Sequence, residues 1–143
     1  MLFRSEVRIC DIPLRAHETI AIAALIQATA AKLWDLHSRN QDFRQYSRAL
    51  LMENKFRAVR YGLDGKMIDF GKQCEVPARD LIAEYLAFVD DTLDELGSRK
   101  EIGYVKTMLE QGSGADRQLK VFRETGSLKS VVDFMASETR AGL

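Results

Sequence analysis

Glycine is missing from the first 61 residues of this 143-residue chain, and all nine glycines lie at or after Gly62. A front without glycine offers few places for left-handed turns, so it reads as long unbroken elements; the back reads as shorter elements with stops between them. Cysteine is nearly absent. Cys10 and Cys74 cannot form a disulfide framework and no CxxC spacing exists for zinc, so a reducing, cytoplasmic setting is expected. There is no excess of either charge: 21 Lys+Arg balance 21 Asp+Glu. That excludes binding by bulk charge, and neither nucleic acid nor membrane is expected as a partner. A long hydrophobic run is also lacking. The most apolar stretch, residues 21–31, contains Gln27 and Thr29 and is too short to span a bilayer. The first residues carry Arg4, Glu6 and Arg8 with no apolar core of signal-peptide length, so no signal peptide is expected there. No internal repeat or low-complexity tract occurs. What remains is 46% hydrophobic residues in a length that suits one domain, residues 1–143.

The periodicities predict a mainly α fold. Residues 3–10 alternate, with Phe3, Val7 and Ile9 on one side and Arg4, Glu6 and Arg8 on the other, as in a half-buried strand that Pro13 ends. Such a strand has no evident partner in the chain and would pair across a second copy or with a segment beyond it. Residues 17–37 form a helix apolar nearly all round, which predicts burial. Asn40 is positioned to cap a second helix over residues 41–61, with Gly62 at its end. A small β-turn element follows near residues 63–70. A third helix opens at Pro77 and runs to Gly97, and three shorter ones cover residues 98–111, 115–125 and 127–139. The expectation is thus an N-terminal β-strand, five or six helices, and one strand pair at most.

Three groups of residues could carry chemistry. Glu6 and Arg8 share a strand face, where a carboxylate could hold Mg²⁺ and a guanidinium could meet phosphoryl oxygens; a solvated face with a mild ion pair fits the same spacing. On the second helix, Glu53, Arg57 and Arg60 follow at i, i+4 and i+7, and Asn54, Arg57 and Tyr61 at i, i+3 and i+7. That polar side could grip an anion, or could be a salt-bridged exposed face. The turn at Gly112-Ser-Gly114-Ala-Asp116-Arg117 precedes a helix but lacks the dinucleotide fingerprint and the P-loop Lys-Ser/Thr, so it reads as an inter-helix loop. His17 and His37 have no second ligand at metal spacing.

Five segments together resemble one family. Glu6-Val-Arg8-Ile-Cys10-Asp11 looks like the E-x-R-x-x-D strand of the type 2 glutamate–cysteine ligases, or carboxylate–amine ligases. Ala24-Leu-Ile-Gln27-Ala, the run Glu53-Asn54-Lys-Phe-Arg57-Ala-Val-Arg60-Tyr61-Gly62, Val76-Pro77-Ala-Arg79 and Gly114-Ala-Asp116-Arg117-Gln118 follow in the same order. The resemblance implies the C-terminal portion of a glutamine-synthetase-like fold. It implies an ATP- and Mg²⁺-dependent joining of the γ-carboxylate of glutamate to an amine such as that of cysteine, through an acyl phosphate. Carried over by residue, Glu6 would be a metal ligand and Arg8 would face the transferred phosphate, with Asn54, Arg57 and Arg60 supporting nucleotide or substrate. The family's enzymes are much longer, and their upstream strands supply the other metal-binding carboxylates. The chain is therefore expected to be inactive alone and to need an N-terminal partner segment or a second copy. The alternative expectation is a non-catalytic helical module for interaction or oligomerisation.

Overall fold

The computed structural model describes residues 7–42 and 44–141. It is mainly helical, with one small antiparallel hairpin. In order, α1 is Ala16–Ser38, α2 Arg48–Tyr61, β1 Lys66–Asp69, β2 Cys74–Pro77, α3 Ala78–Val89, α4 Leu93–Leu96, α5 Arg99–Gln111, α6 Gly114–Thr125 and α7 Leu128–Ala141. Six of these helices have at least 12 residues, and α4 is a single turn.

The core forms where α1 meets α3, α4 and α5. Ala24 and Ala28 present small side chains every third or fourth residue, and Val89, Leu93 and Ile102 fill the space they leave. Each of those three larger side chains contributes about 1.5–3 kcal/mol by leaving water. Arg15, at the head of α1, donates to Gln111 Oε1, at the tail of α5, so the two helices run antiparallel. The α6–α7 hairpin packs mainly on itself. It is tied to the rest by two ion pairs, Arg117–Glu18 and Arg15–Glu138, each at 2.6 Å.

Several expectations change. The burial predicted for α1 is only partial: one face is buried at Ala21, Ala24 and Ala28, while Ile20, Leu33 and Trp34 stand exposed. Its apolar run is short, but the helix itself extends to 23 residues, long and apolar enough by length and composition to cross a membrane. Of the strand predicted over residues 3–10, residues 3–6 lie outside the described residues. Residues 7–10 are irregular, having no neighbouring strand among the described residues to complete a ladder. Asn40 does not cap α2. It sits at φ 57° and closes α1, its N–H donating to His37 O at 3.0 Å and the next N–H, of Gln41, to Leu36 O at 2.9 Å. The cap of α2 is Ser47, whose hydroxyl accepts from Leu50 N, so the helix starts seven residues later than predicted. The third helix breaks at Asp90–Thr92, a 3₁₀ turn where Thr92 Oγ1 donates to Val89 O at 2.8 Å. Short polar side chains compete there for the backbone. Beyond it, Gly97 stops α4 at φ 63°.

Candidate functional site

Ser47 starts α2 and Gly62, at φ 58°, ends it; the chain then makes one 3₁₀ turn, Gly62–Asp64, and enters β1. The hairpin pairs Met67 with Val76 and Ile68 with Glu75. Between α2 and this hairpin lies an open cleft of about 390 Å³, lined by Glu53, Arg57, Tyr61, Asp64, Lys66 and Glu75 among others.

Two of the predicted site residues fasten the helix to the hairpin. The Asn54 amide acts as a short strand edge: Nδ2 donates to Ile68 O at 2.9 Å, and Oδ1 accepts from Ile68 N at 2.8 Å. Arg57 spans the gap, donating from Nε to Glu53 at 2.8 Å and from Nη1 to Glu75 at 2.6 Å. Those hydrogen bonds, to Glu53 first and then Glu75, raise the Arg57 pKa, and the bond from Arg57 holds the Glu75 carboxyl below its ordinary range. Exposed pairs of this kind are weak in water, so they set geometry more than stability. At the hairpin tip, Asp69 accepts from the backbone N–H groups of Lys72 and Gly71, each at 2.9 Å. These contacts, Lys72 first, lower the Asp69 pKa.

The remaining candidates are dispersed. Arg60 is exposed on the last turn of α2. Arg8 is exposed in the irregular arm before α1 and does not line the cleft. Glu6 lies outside the described residues. Magnesium needs a set of hard oxygen ligands. Among the described residues no three His, Cys, Asp or Glu side chains converge to offer one. The cleft carboxylates are turned to internal cations, Glu53 and Glu75 to Arg57, and Asp64 to Arg79 at 2.9 Å.

Residues that the periodicity did not single out hold the surroundings together. Arg79, two residues after Pro77, reaches Asp64 and also donates to Leu109 O on α5, linking the cleft to the helical core. Arg117 reaches Glu18 inside the protein, their side chains only 11% and 4% exposed. Glu18 was the legible signal, a lone acid in the first turn of a helix otherwise apolar for most of its length.

The sequence pattern described as glutamate-cysteine ligase family 2 (GCS2) matches residues 2–133. A protein of Solibacter usitatus (strain Ellin6076) named "Putative glutamate--cysteine ligase 2" is 66% identical over 138 residues, 96% of this chain and 36% of its own length. Proteins of the same name from Roseiflexus sp. (strain RS-1) and Herpetosiphon aurantiacus are 56% and 51% identical, again over 96% of this chain and 36% of theirs. The chain thus spans about a third of the length of these relatives, matching their C-terminal part. No solved structure matches it.

Proposed function

Because the chain belongs to glutamate–cysteine ligase family 2, matched along residues 2–133, we propose that it forms the C-terminal part of an ATP-dependent carboxylate–amine ligase and is inactive alone. In this reading a γ-carboxylate oxygen of glutamate bonds to the γ-phosphorus of ATP, and ADP leaves. The amine of a second substrate, such as cysteine, then bonds to the acyl carbon. The C–O bond to phosphate breaks, and the amine gives up a proton. Negative charge gathers on the phosphoryl oxygens in the first step, and arginines aimed at them lower the barrier. Arg8 is the residue this chain offers for that role, since a guanidinium matches such oxygens with two donors. Glu6 is its candidate ligand for Mg²⁺, which would neutralise phosphate charge, although the described residues build no ligand set for the ion.

The observation that carries the incompleteness is the state of the cleft. Of its charged side chains, Glu53, Arg57, Asp64 and Glu75 are engaged with one another or with Arg79, and Lys66 lines the same cleft. They brace a scaffold, and the reacting groups come from the larger part of the relatives that this chain does not span. The test is a chimera in which this chain replaces the matched region of the Solibacter usitatus relative. ADP release with glutamate, cysteine, ATP and Mg²⁺ is expected from the chimera and not from the 143-residue chain. Full activity from the chain alone would overturn the incompleteness. Silence from a folded chimera whose parent is active would overturn the ligase reading in favour of an interaction module.

A further inference from the structure

The α6–α7 hairpin supplies its own helix ends. Ser113 Oγ accepts from Asp116 N at 3.2 Å and Asp116 Oδ2 accepts from Ser113 N at 2.8 Å, so α6 is capped without help from the other helices. Gly126, at φ 63°, closes α6, and Ser127 Oγ accepts from Ser130 N at 3.3 Å at the start of α7. The two helices pack chiefly on each other. No apolar residue of either is buried, whereas α5 buries Ile102 and Val105. What fastens the hairpin is therefore charge, and the charges alternate. The head of α1 presents Arg15 and Glu18 one turn apart; α7 brings Glu138 to the first and α6 brings Arg117 to the second. Exchanging the pairs would set Arg117 against Arg15 and Glu138 against Glu18, so the hairpin closes in one register. Arg15 also holds Gln111, the last residue of α5. Between Gln111 and α6 the chain is only Gly112, at φ 82°, and Ser113.

We propose that α6–α7 is a hinged flap that swings away as one piece about Gly112–Ser113, with Arg15–Glu138 and Glu18–Arg117 as its latch. Opening separates two ion pairs and returns four charges to water, while the core of Ala24, Ala28, Val89, Leu93 and Ile102 stays closed. It also relieves the Arg117 guanidinium, whose nitrogens are buried in the closed form without a hydrogen bond among the described residues. Opening is thus a smaller event than unfolding of the whole domain. Released helices of 12 and 14 residues are too short to hold their structure well in water, so their amides exchange at each opening. The flap goes beyond the ligase reading and does not depend on it.

The test is native-state hydrogen exchange of the 143-residue chain, read peptide by peptide. The amides of α6 and α7 are expected to exchange together, at least about tenfold faster than those around Ile102 and Val105. Glu138→Arg sets like charges face to face. It is expected to speed exchange in α6 as well as α7 by about tenfold or more and to leave Ile102 and Val105 unchanged. Adding Arg15→Glu is expected to bring α6 to slower exchange than in either single variant, because the two sites are coupled. Asp133→Arg reverses a charge that pairs with Lys129 within α7, and is expected to leave α6 unchanged. Faster exchange in α7 alone would mean fraying of one helix and would overturn the flap. Equal acceleration at Ile102 and Val105, or a Glu138→Arg chain that fails to fold, would make the hairpin part of the core and overturn it as well. Unchanged α6 exchange in Glu138→Arg, or the same acceleration from Asp133→Arg, would remove the latch and the proposal with it.

Discussion

Replacing Arg117 by methionine is the most informative stability test. In the native protein Arg117 Nη2 lies 2.6 Å from Glu18 Oε1, with the two side chains 11% and 4% exposed. The contact lacks hydrogen-bond alignment, and Nε and Nη1 are buried with no hydrogen-bond partner among the described residues, so charge and not directional bonding holds the pair. Methionine fills much of the same volume and removes the charge. The Glu18 carboxylate, which also accepts from Arg15 N at 3.3 Å, is then left buried without its cation. Breaking such a pair from one side costs about 3–5 kcal/mol. A domain of this kind has only about 5–15 kcal/mol in all. At roughly 2–4 °C per kcal/mol, the melting temperature falls by about 6–20 °C. Urea unfolding of wild type, Arg117→Met, Glu18→Met and the double variant completes a thermodynamic cycle. The double variant is expected to be more stable than Arg117→Met, because no charge is left buried. A loss below about 1 kcal/mol in Arg117→Met, or a double variant whose losses simply add, would refute the argument.

Three other outcomes follow from the same geometry. Asn54→Ala leaves both backbone groups of Ile68 without their side-chain partners; it is expected to cost about 1–3 kcal/mol and to speed amide exchange at Ile68, whereas unchanged exchange would show that the hairpin holds its place without α2. Asp69, Glu75, Asp91 and Asp94 all have folded pKa values below their ordinary 3.8 or 4.5. Their contribution is complete above those ordinary values and is lost as pH falls through the lower folded ones, so melting temperature should be flat from pH 7 to about 5 and drop below about 4. A drop already complete at pH 5 would point to other groups. In the active chimera, Arg8→Lys is expected to lower kcat about 10²-fold or more, and Glu6→Gln to shift the Mg²⁺ dependence. A Mg²⁺ titration of ADP release with unchanged curves would take both residues out of the site.

The helices were legible because their signals are local. The 3.6-residue period of α1, α5 and α7 and the stops at Gly62, Gly97 and Gly126 are written within a few residues of the structure they cause. The start of α2 was misplaced because Asn40 suits two jobs, capping the next helix or closing the last one, and only the chain's path decides between them. β2 was hidden for another reason. Its ladder partner is set by the 69–74 turn, where Gln73 adopts φ 55° without being glycine. At the candidate site, the grouping of Glu53, Asn54 and Arg57 could be read from helical spacing. That Asn54 faces a strand backbone and Arg57 a second carboxylate on β2 could not, since both partners arrive through tertiary packing. Arg79 and Arg117 were visible as motif residues, but their role as ties depends on Leu109, Asp64 and Glu18, which lie 15 to 99 positions away.

The clasp between Arg15 and Glu138 also sets a schedule for biosynthesis. Its two halves are 123 residues apart, so the head of α1 cannot be fastened until nearly the whole chain has left the ribosome. At about 5–20 residues per second, that is a wait of about 6–25 s. For most of that interval α1 also lacks the Arg117 that joins Glu18, and its alanine face lacks α5; Glu138 comes last. A nascent chain carrying an uncovered, Ala-rich apolar helix for so long is a natural client for ribosome-associated chaperones, and slowing translation beyond residue 40 should increase that demand.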